Sequence, residues 1–198
     1  MEIFYHGTHR LFDNFSLDHQ GEGEGKAKYG SGIYITSSFA TAARYAAKAG
    51  KRQGVDTYYV YTIEVPDITP TNHLFSCRPV AEDIASHIES VLGERVPDEA
   101  KLKGKFFRKY VANLITGQRT TVKKMTSRAE SEAERAAARF FDENGLVYFA
   151  WPQAQTKPDG ITNRTVFNVE NIRILKVEQV QVDGENDLIE GSQVEVKR

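Results

Sequence analysis

The chain has little of several features that mark particular classes of protein. Its 198 residues include one cysteine, Cys77, which excludes an internal disulfide and a zinc site built on several thiolates. No apolar run approaches the roughly 20 residues of a membrane-spanning helix. The first residues lack the basic and apolar regions of a secretory signal. We therefore expect a cytoplasmic protein without a membrane contact, and we interpret Cys77 as a small buried residue.

The chain also lacks a strong net charge, since its formal charge is −1, but its charges are segregated. The stretch 101–128 contains basic residues and no acidic one, whereas the segment after residue 178 is acidic. Such a field favours the approach of a polyanion to one face, and the alternative is a solvated helical surface. Six of these basic residues are candidates for contact with an acceptor: Lys105, Arg108, Lys109, Lys123, Lys124 and Arg128.

What the chain does have is a clear order of strands, helices and strands. Composition is that of a globular domain, with 40% hydrophobic and 27% charged residues. β-Branched and aromatic runs predict strands, and apolar residues three and four apart predict helices. The predicted strands are 3–5, 33–36, 57–65, 146–151, 161–167 and 172–182, and the predicted helices are 39–49, 81–92, 105–115 and 127–143.

This order predicts an α+β domain rather than alternating βαβ units. We expect one domain over residues 1–182, with a helical insertion at about 78–143, and an acidic polar tail over 183–198. The glycine-rich stretch 21–32 lacks the strand and helix of a dinucleotide-binding motif, and its glutamates are unsuited to cradling phosphate. We interpret this stretch as a mobile loop near a ligand.

Three short segments point to chemistry when they are taken together. They are Tyr5-His6-Gly7-Thr8, in which a short strand runs into a turn at residues 6–8, the segment Gly30-Ser31-Gly32-Ile33-Tyr34-Ile35-Thr36, and the helical segment Ala43-Arg44-Tyr45-Ala46. Tyr34 lies on a predicted strand and Tyr45 on the next helix, so one strand–turn–helix unit can bring both rings to a flat heteroaromatic group. Each tyrosine alone is also compatible with a core position, and His6 with a histidine satisfied by the backbone.

The combination resembles the His–Tyr clade of ADP-ribosyltransferases, which contains poly(ADP-ribose) polymerases and diphtheria-type toxins. It is most similar to the ADP-ribosyltransferase domains of phage polyvalent proteins and bacterial toxins. The likeness covers residues 3–66 and 144–176 and leaves the helical middle unmatched. It implies an ADP-ribosyltransferase-like domain with split mixed or antiparallel β-sheets and the helical insertion between them.

The same resemblance implies roles for individual residues. His6 would hydrogen-bond a ribose hydroxyl of NAD+, and the Gly7 backbone, next to Thr8, would hold the nicotinamide carboxamide. Tyr34 and Tyr45 would stack on the nicotinamide ring. NAD+ would be the co-substrate, and no metal is implied.

Two positions depart from the polymerase pattern. Asn163 stands where the polymerases carry glutamate, and Ala42 stands where they carry a serine that binds the carboxamide. Asn163 can orient a hydroxyl but cannot act as a base, so we expect single transfer rather than chain elongation. Thr41 or a backbone group would replace the serine. A carboxylate such as Glu22, Glu24 or Asp159 would then have to deprotonate the acceptor.

These observations lead to a functional hypothesis. We expect a mono-ADP-ribosyltransferase that modifies a macromolecule, with RNA favoured by the basic stretch and protein as an alternative. By analogy with its relatives, it would be a toxin of a toxin–antitoxin or phage-defence system, and an acidic antitoxin or chaperone would be a possible partner. The competing hypotheses are an NAD+ glycohydrolase and a non-catalytic NAD+-binding fold.

Overall fold

A computed structural model describes residues 1–18, 28–117, 130–153, 160 and 162–197. The described strands are β1 (Glu2–Thr8), β2 (Ile33–Thr36), β3 (Tyr58–Val65), β4 (His73–Phe75), β5 (Tyr148–Pro152), β6 (Thr162–Val166), β7 (Arg173–Val180) and β8 (Val194–Glu195). The described helices are α1 (Phe39–Arg52), α2 (Glu82–Leu92), α3 (Asp98–Lys101), α4 (Gly104–Ile115) and α5 (Glu130–Glu143), with a 3₁₀ turn at Val169–Asn171.

The described strands form one mixed sheet in the order β4-β5-β6-β2-β1-β3-β7-β8. The α+β class agrees with this arrangement, but the prediction of split sheets is wrong. The two halves are joined because β1 pairs with β2 at Tyr5 and Thr36. This junction is short, whereas β1 pairs with β3 along its whole length from Glu2 to Thr8. The sheet is therefore continuous, and the pairing between its two halves is limited to one register pair.

Alternation along the strands assigns the side chains to two faces. One face carries Phe4, Ile33 and Ile35, which pack with Tyr61 and with the loop aromatic residue Phe12. The opposite face is covered by helices. There α1 packs over β1 and β3, and α2, α4 and α5 form a second core with β5.

Helix α1 confirms its predicted beginning and corrects its predicted end. The Ser38 hydroxyl accepts the Thr41 N–H at 3.2 Å, which caps the helix just before its predicted first residue, Phe39. The predicted end at residue 49 is wrong, because the helix continues to Arg52. Gly50 has a packing role instead: a Cβ at this position would lie 2.6 Å from the Tyr58 ring and 2.8 Å from the Val55 carbonyl oxygen.

The acidic C-terminal segment folds back on the domain. Strand β8 pairs antiparallel with β7, and Val182 forms an isolated bridge with Leu188. Arg44 of α1 forms an ion pair with Asp187 in the same segment. Residues 183–197 therefore add a strand to the sheet edge and contact the helix that carries Tyr45.

Three findings concern the features that the composition lacks. Cys77 is exposed, so its interpretation as a buried residue is wrong, because it follows the edge strand β4 rather than lying within it. In the described ranges, no helix combines the length and apolarity needed to cross a membrane. The same ranges contain no group of three or more His, Cys, Asp or Glu side chains suited to a metal ion.

Candidate functional site

The candidate site lies where β1 and β2 stop pairing. Their only register pair is Tyr5 with Thr36, although β1 continues to Thr8 and β2 begins at Ile33. In an antiparallel pair, Gly7 would otherwise stand opposite Tyr34. The sheet therefore has a gap between these strands, and we call it the β1–β2 gap: the space bounded by residues 6–8 and 33–35.

His6 spans this gap. Its Nδ1 lies 2.8 Å from the main-chain oxygen of Tyr34, so Nδ1–H donates and Nε2 is left as the acceptor of the neutral ring. The ring packs edge-on against Phe15, with centroids 5.1 Å apart, and lies 6.3 Å from Phe12 and from Tyr61. Burial lowers the pKa of His6, and the bond to Tyr34 offsets that shift only in part. The imidazole is therefore neutral at pH 7.

Tyr34 is fixed through its hydroxyl. The oxygen accepts the Tyr29 N–H at 3.0 Å and donates its hydrogen to the Gly30 carbonyl at 2.9 Å. Its ring stands edge-to-face with Trp151 at 5.5 Å. Burial raises the pKa of Tyr34 to about 12, so the phenol keeps its proton throughout the physiological range.

Gly7 has a packing role that does not depend on any ligand. A Cβ at this position would lie 1.8 Å from the carbonyl oxygen of Ala42, since α1 crosses directly over β1. Gly7 therefore allows the helix to approach the gap. The neighbouring Thr8 uses its hydroxyl to accept the Arg10 N–H at 3.1 Å, which shapes the turn after β1.

Helix α1 forms the wall above the gap. Thr41 is buried and Ala42 is fully buried, whereas Tyr45 is 38% exposed. Thr41 and Tyr45 are four residues apart on the helix and so share one side of it. The helix covers the same face of the sheet from which Tyr34 projects, so both predicted stacking residues lie on the helical side.

Asn163 is the most unusual polar side chain near the site. It is 2% exposed, and in the described part of the chain neither its amide oxygen nor its amide nitrogen has a hydrogen-bond partner. It pairs in register with Thr36 of β2 and with Trp151 of β5, which gives it the same face as Tyr34. A buried amide without partners costs about 1–3 kcal/mol, so a ligand that satisfied it would gain affinity.

His6 and Tyr34 do not project to the same face. His6 packs with the loop aromatic residues on one face, and Tyr34 packs with Trp151 on the helical face. A ligand that contacts both therefore has to enter the β1–β2 gap itself. The gap has the neutral acceptor of His6 on one face of the sheet, the ring of Tyr34 on the other, and the buried amide of Asn163 one strand away.

The proposed acceptor-binding residues meet different outcomes. Arg108 is 1% exposed and its guanidinium forms an ion pair with Glu134, so the expectation that it lies at the surface is wrong. Lys105 and Lys109 are half-buried, and Lys105 places its Nζ 5.0 Å from the Phe106 ring. Outside the described residues lie Lys123, Lys124, Arg128, the suggested bases Glu22, Glu24 and Asp159, and most of the glycine-rich loop.

Sequence reasoning missed the residues that hold Tyr34. Tyr29 stacks on Trp151 with ring centroids 4.1 Å apart and planes 4° apart. Trp151 is the only tryptophan of the chain, and it stands at the predicted end of a strand. That placement could have marked Trp151 as a candidate site residue. Nothing in the sequence distinguishes Tyr29, its stacking partner, in the same way.

Comparisons with known proteins found no matching family model, curated protein or solved structure. The function is therefore inferred from the residues of this chain.

Proposed function

We propose that this chain binds NAD+ at the β1–β2 gap and transfers its ADP-ribose to one site on a macromolecular acceptor. The observation that carries the proposal is the buried amide of Asn163, which has no hydrogen-bond partner among the described residues. It lies on the face of Tyr34, beside the gap that the bond from His6 to Tyr34 spans. A gap in a sheet leaves main-chain donors and acceptors available to a ligand amide. Nicotinamide has a flat ring, which can stack on Tyr34. Its carboxamide can hydrogen-bond the main-chain groups in the gap.

The histidine is suited to a ribose hydroxyl rather than to acid catalysis. Its Nδ1 proton is committed to the Tyr34 carbonyl, so Nε2 accepts a hydrogen bond from a hydroxyl. The lowered pKa of His6 keeps that acceptor available at neutral pH. Leaving nicotinamide needs no proton, because the pyridinium becomes neutral as it departs.

In the reaction, the bond between the nicotinamide N1 and C1′ of its ribose breaks, and both electrons leave with N1. The nucleophile of the acceptor forms a bond to C1′ and gives its proton to a base or to water. The transition state resembles an oxocarbenium ion, so positioning and dipoles contribute more than covalent catalysis. The oxygen of the Asn163 amide is the described group suited to holding a ribose hydroxyl on that cation.

The neutral amide also limits the product. A carboxylate at this position could deprotonate the hydroxyl of an attached ADP-ribose, which is what chain growth requires. An amide cannot accept a proton near neutral pH. The product is therefore a single ADP-ribose on each acceptor site.

The test uses NAD+ labelled in its adenylate, incubated with the protein and separately with total RNA and with a protein extract. Transfer predicts label in one macromolecular fraction, and that fraction identifies the acceptor class. Tyr34→Ala should abolish labelling, whereas Tyr110→Ala, which removes a half-buried tyrosine from α4, should leave it unchanged. Label found only in free ADP-ribose would make the chain an NAD+ glycohydrolase and would refute the transfer step.

A further inference from the structure

The helical insertion contains a buried ion pair whose position relative to Tyr34 is informative. Arg108 of α4 and Glu134 of α5 are each 2% exposed at the side chain, with Nε and Oε2 2.9 Å apart. Nη2 also donates to Oε1 at 2.9 Å, and the guanidinium lies 4.2 Å from the centre of the Phe149 ring. A buried pair of this kind contributes little net stability compared with apolar residues of similar volume. Its consequence is a fixed geometry.

The pair extends from the helices to the turn before β2. Nη2 of Arg108 donates to the main-chain oxygen of Lys28 at 3.3 Å. The same guanidinium packs next to Gly30, where a Cβ would lie 3.3 Å from Nη1. Arg108 therefore contacts both ends of the turn at residues 28–30.

That turn in turn holds Tyr34. The Tyr34 hydroxyl accepts from the Tyr29 N–H and donates to the Gly30 carbonyl. The Tyr29 carbonyl accepts the Thr165 hydroxyl at 3.0 Å, and its ring stacks on Trp151. These contacts form a continuous link from Arg108 to the ring of Tyr34.

We propose that Arg108 and Glu134 are positioning residues that set the ring of Tyr34 through the turn at residues 28–30. The inference rests on the proposed function in one respect only: the positioned ring of Tyr34 is taken to stack on nicotinamide. It gives Arg108 and Glu134 of the helical insertion a role in the site that needs no contact of these two side chains with the ligand. Neither side chain is a catalytic residue.

The test is a double-mutant cycle read by NAD+ titration calorimetry and by Trp151 emission. Arg108→Met with Glu134→Leu removes the pair without leaving a buried charge, and Tyr34→Phe cuts the link at the hydroxyl. In the wild-type background, removing the pair should weaken NAD+ binding about tenfold, the typical effect of a lost hydrogen bond to a charged group. In the Tyr34→Phe background, it should change the Kd by less than about twofold, because linked residues are not additive.

The matched control removes a second ion pair of the insertion. Glu89 of α2 and Lys101 of α3 are 2.7 Å apart and do not touch the turn. Glu89→Leu with Lys101→Met should leave NAD+ affinity and Trp151 emission unchanged. Equal effects of removing the Arg108 pair in both Tyr34 backgrounds would overturn the proposal.

The emission of Trp151 separates this proposal from the proposed function. Trp151 stacks on Tyr29, so loosening the turn should shift its emission in the protein without NAD+. A wild-type protein that binds no NAD+ would refute the function, and the emission shift would still support the positioning role. An unchanged emission spectrum overturns the positioning role whatever the affinity for NAD+. Arg108→Lys, which keeps a cation for Glu134 but lacks the planar fork, provides the same emission readout if the double variant does not fold.

Discussion

The imidazole of His6 donates from Nδ1 to the main-chain carbonyl of Tyr34, 2.8 Å away, just beyond the last register pair of their two strands. A bond from a side chain thus takes the place of main-chain hydrogen bonds at the point where the pairing of β1 and β2 ends. This bond fixes the tautomer of His6 and also the position of the Tyr34 main chain relative to β1.

Replacing His6 with glutamine should weaken NAD+ binding by about tenfold, because Nε2 is lost as an oriented acceptor. His73→Gln is the control, since His73 also bonds a carbonyl through Nδ1, at 2.7 Å from Thr69, but stands on the edge strand β4. Calorimetric titration of both variants gives the comparison. Equal losses in the two variants would remove His6 from the site.

Stability should depend on pH through His6. Its pKa is lowered by burial in the folded state, whereas the unfolded chain keeps the ordinary value near 6.5. Above that value both states are neutral, so His6 contributes no pH dependence. As the pH falls below 6.5, the unfolded state takes up a proton before the folded state does, so the free energy of unfolding decreases.

The measurement is urea unfolding of the wild type and His6→Gln at pH 7.5 and pH 5.5. The wild type should lose more stability over this interval than His6→Gln. Burial also lowers the pKa of His73, which would add its own pH dependence. The comparison is therefore made in a His73→Gln background, with and without His6→Gln. Identical losses in the two proteins would contradict the lowered pKa of His6.

Asn163→Leu should separate stability from activity. The substitution removes a buried amide that has no hydrogen-bond partner in the described ranges, so the free energy of unfolding should stay the same or rise by about 1 kcal/mol. ADP-ribose transfer should fall at least about tenfold, because the ribose loses an oriented acceptor. Asn113→Ala is the control, since the buried Asn113 amide already bonds the Lys109 carbonyl at 2.7 Å and is remote from the gap. Full activity in Asn163→Leu would exclude the amide from the reaction.

Gly7→Ala tests the close approach of α1. A Cβ 1.8 Å from the Ala42 carbonyl oxygen cannot be accommodated without moving the helix, so unfolding should become easier by about 2 kcal/mol or more. Gly184→Ala, at a glycine with open space around its Cβ position, is the matched control and should be nearly neutral. Urea unfolding of both variants measures the difference. Unchanged stability in Gly7→Ala would contradict the packing role of this residue.

Local signals sufficed for much of the fold. The run Ile33–Thr36 was predicted to the residue by its β-branched composition, and the start of α1 at Phe39 was also predicted. The three residues of β4 were missed because their pairing is parallel and its partner, β5, is far along the chain. Local pattern carries no information about such a partner.

The candidate site rests on residue types that the sequence shows, whereas its geometry did not follow from the sequence. His6, Tyr34 and Asn163 stand out in the sequence, whereas the bond across the gap and the projection of His6 and Tyr34 to opposite faces depend on strand register. Arg108 shows the limit most clearly. Its helical position lies beside an apolar stripe, and only its partner Glu134, 26 residues later on another helix, accounts for its burial.

Binding of NAD+ at the β1–β2 gap is tested most directly by calorimetric titration of NAD+ into the wild type and into Tyr34→Ala. The account predicts saturable binding of about one NAD+ per chain in the wild type and an affinity at least about tenfold lower in the variant, with circular dichroism unchanged. Absence of binding to the wild type, or equal affinity in a folded Tyr34→Ala, would contradict it.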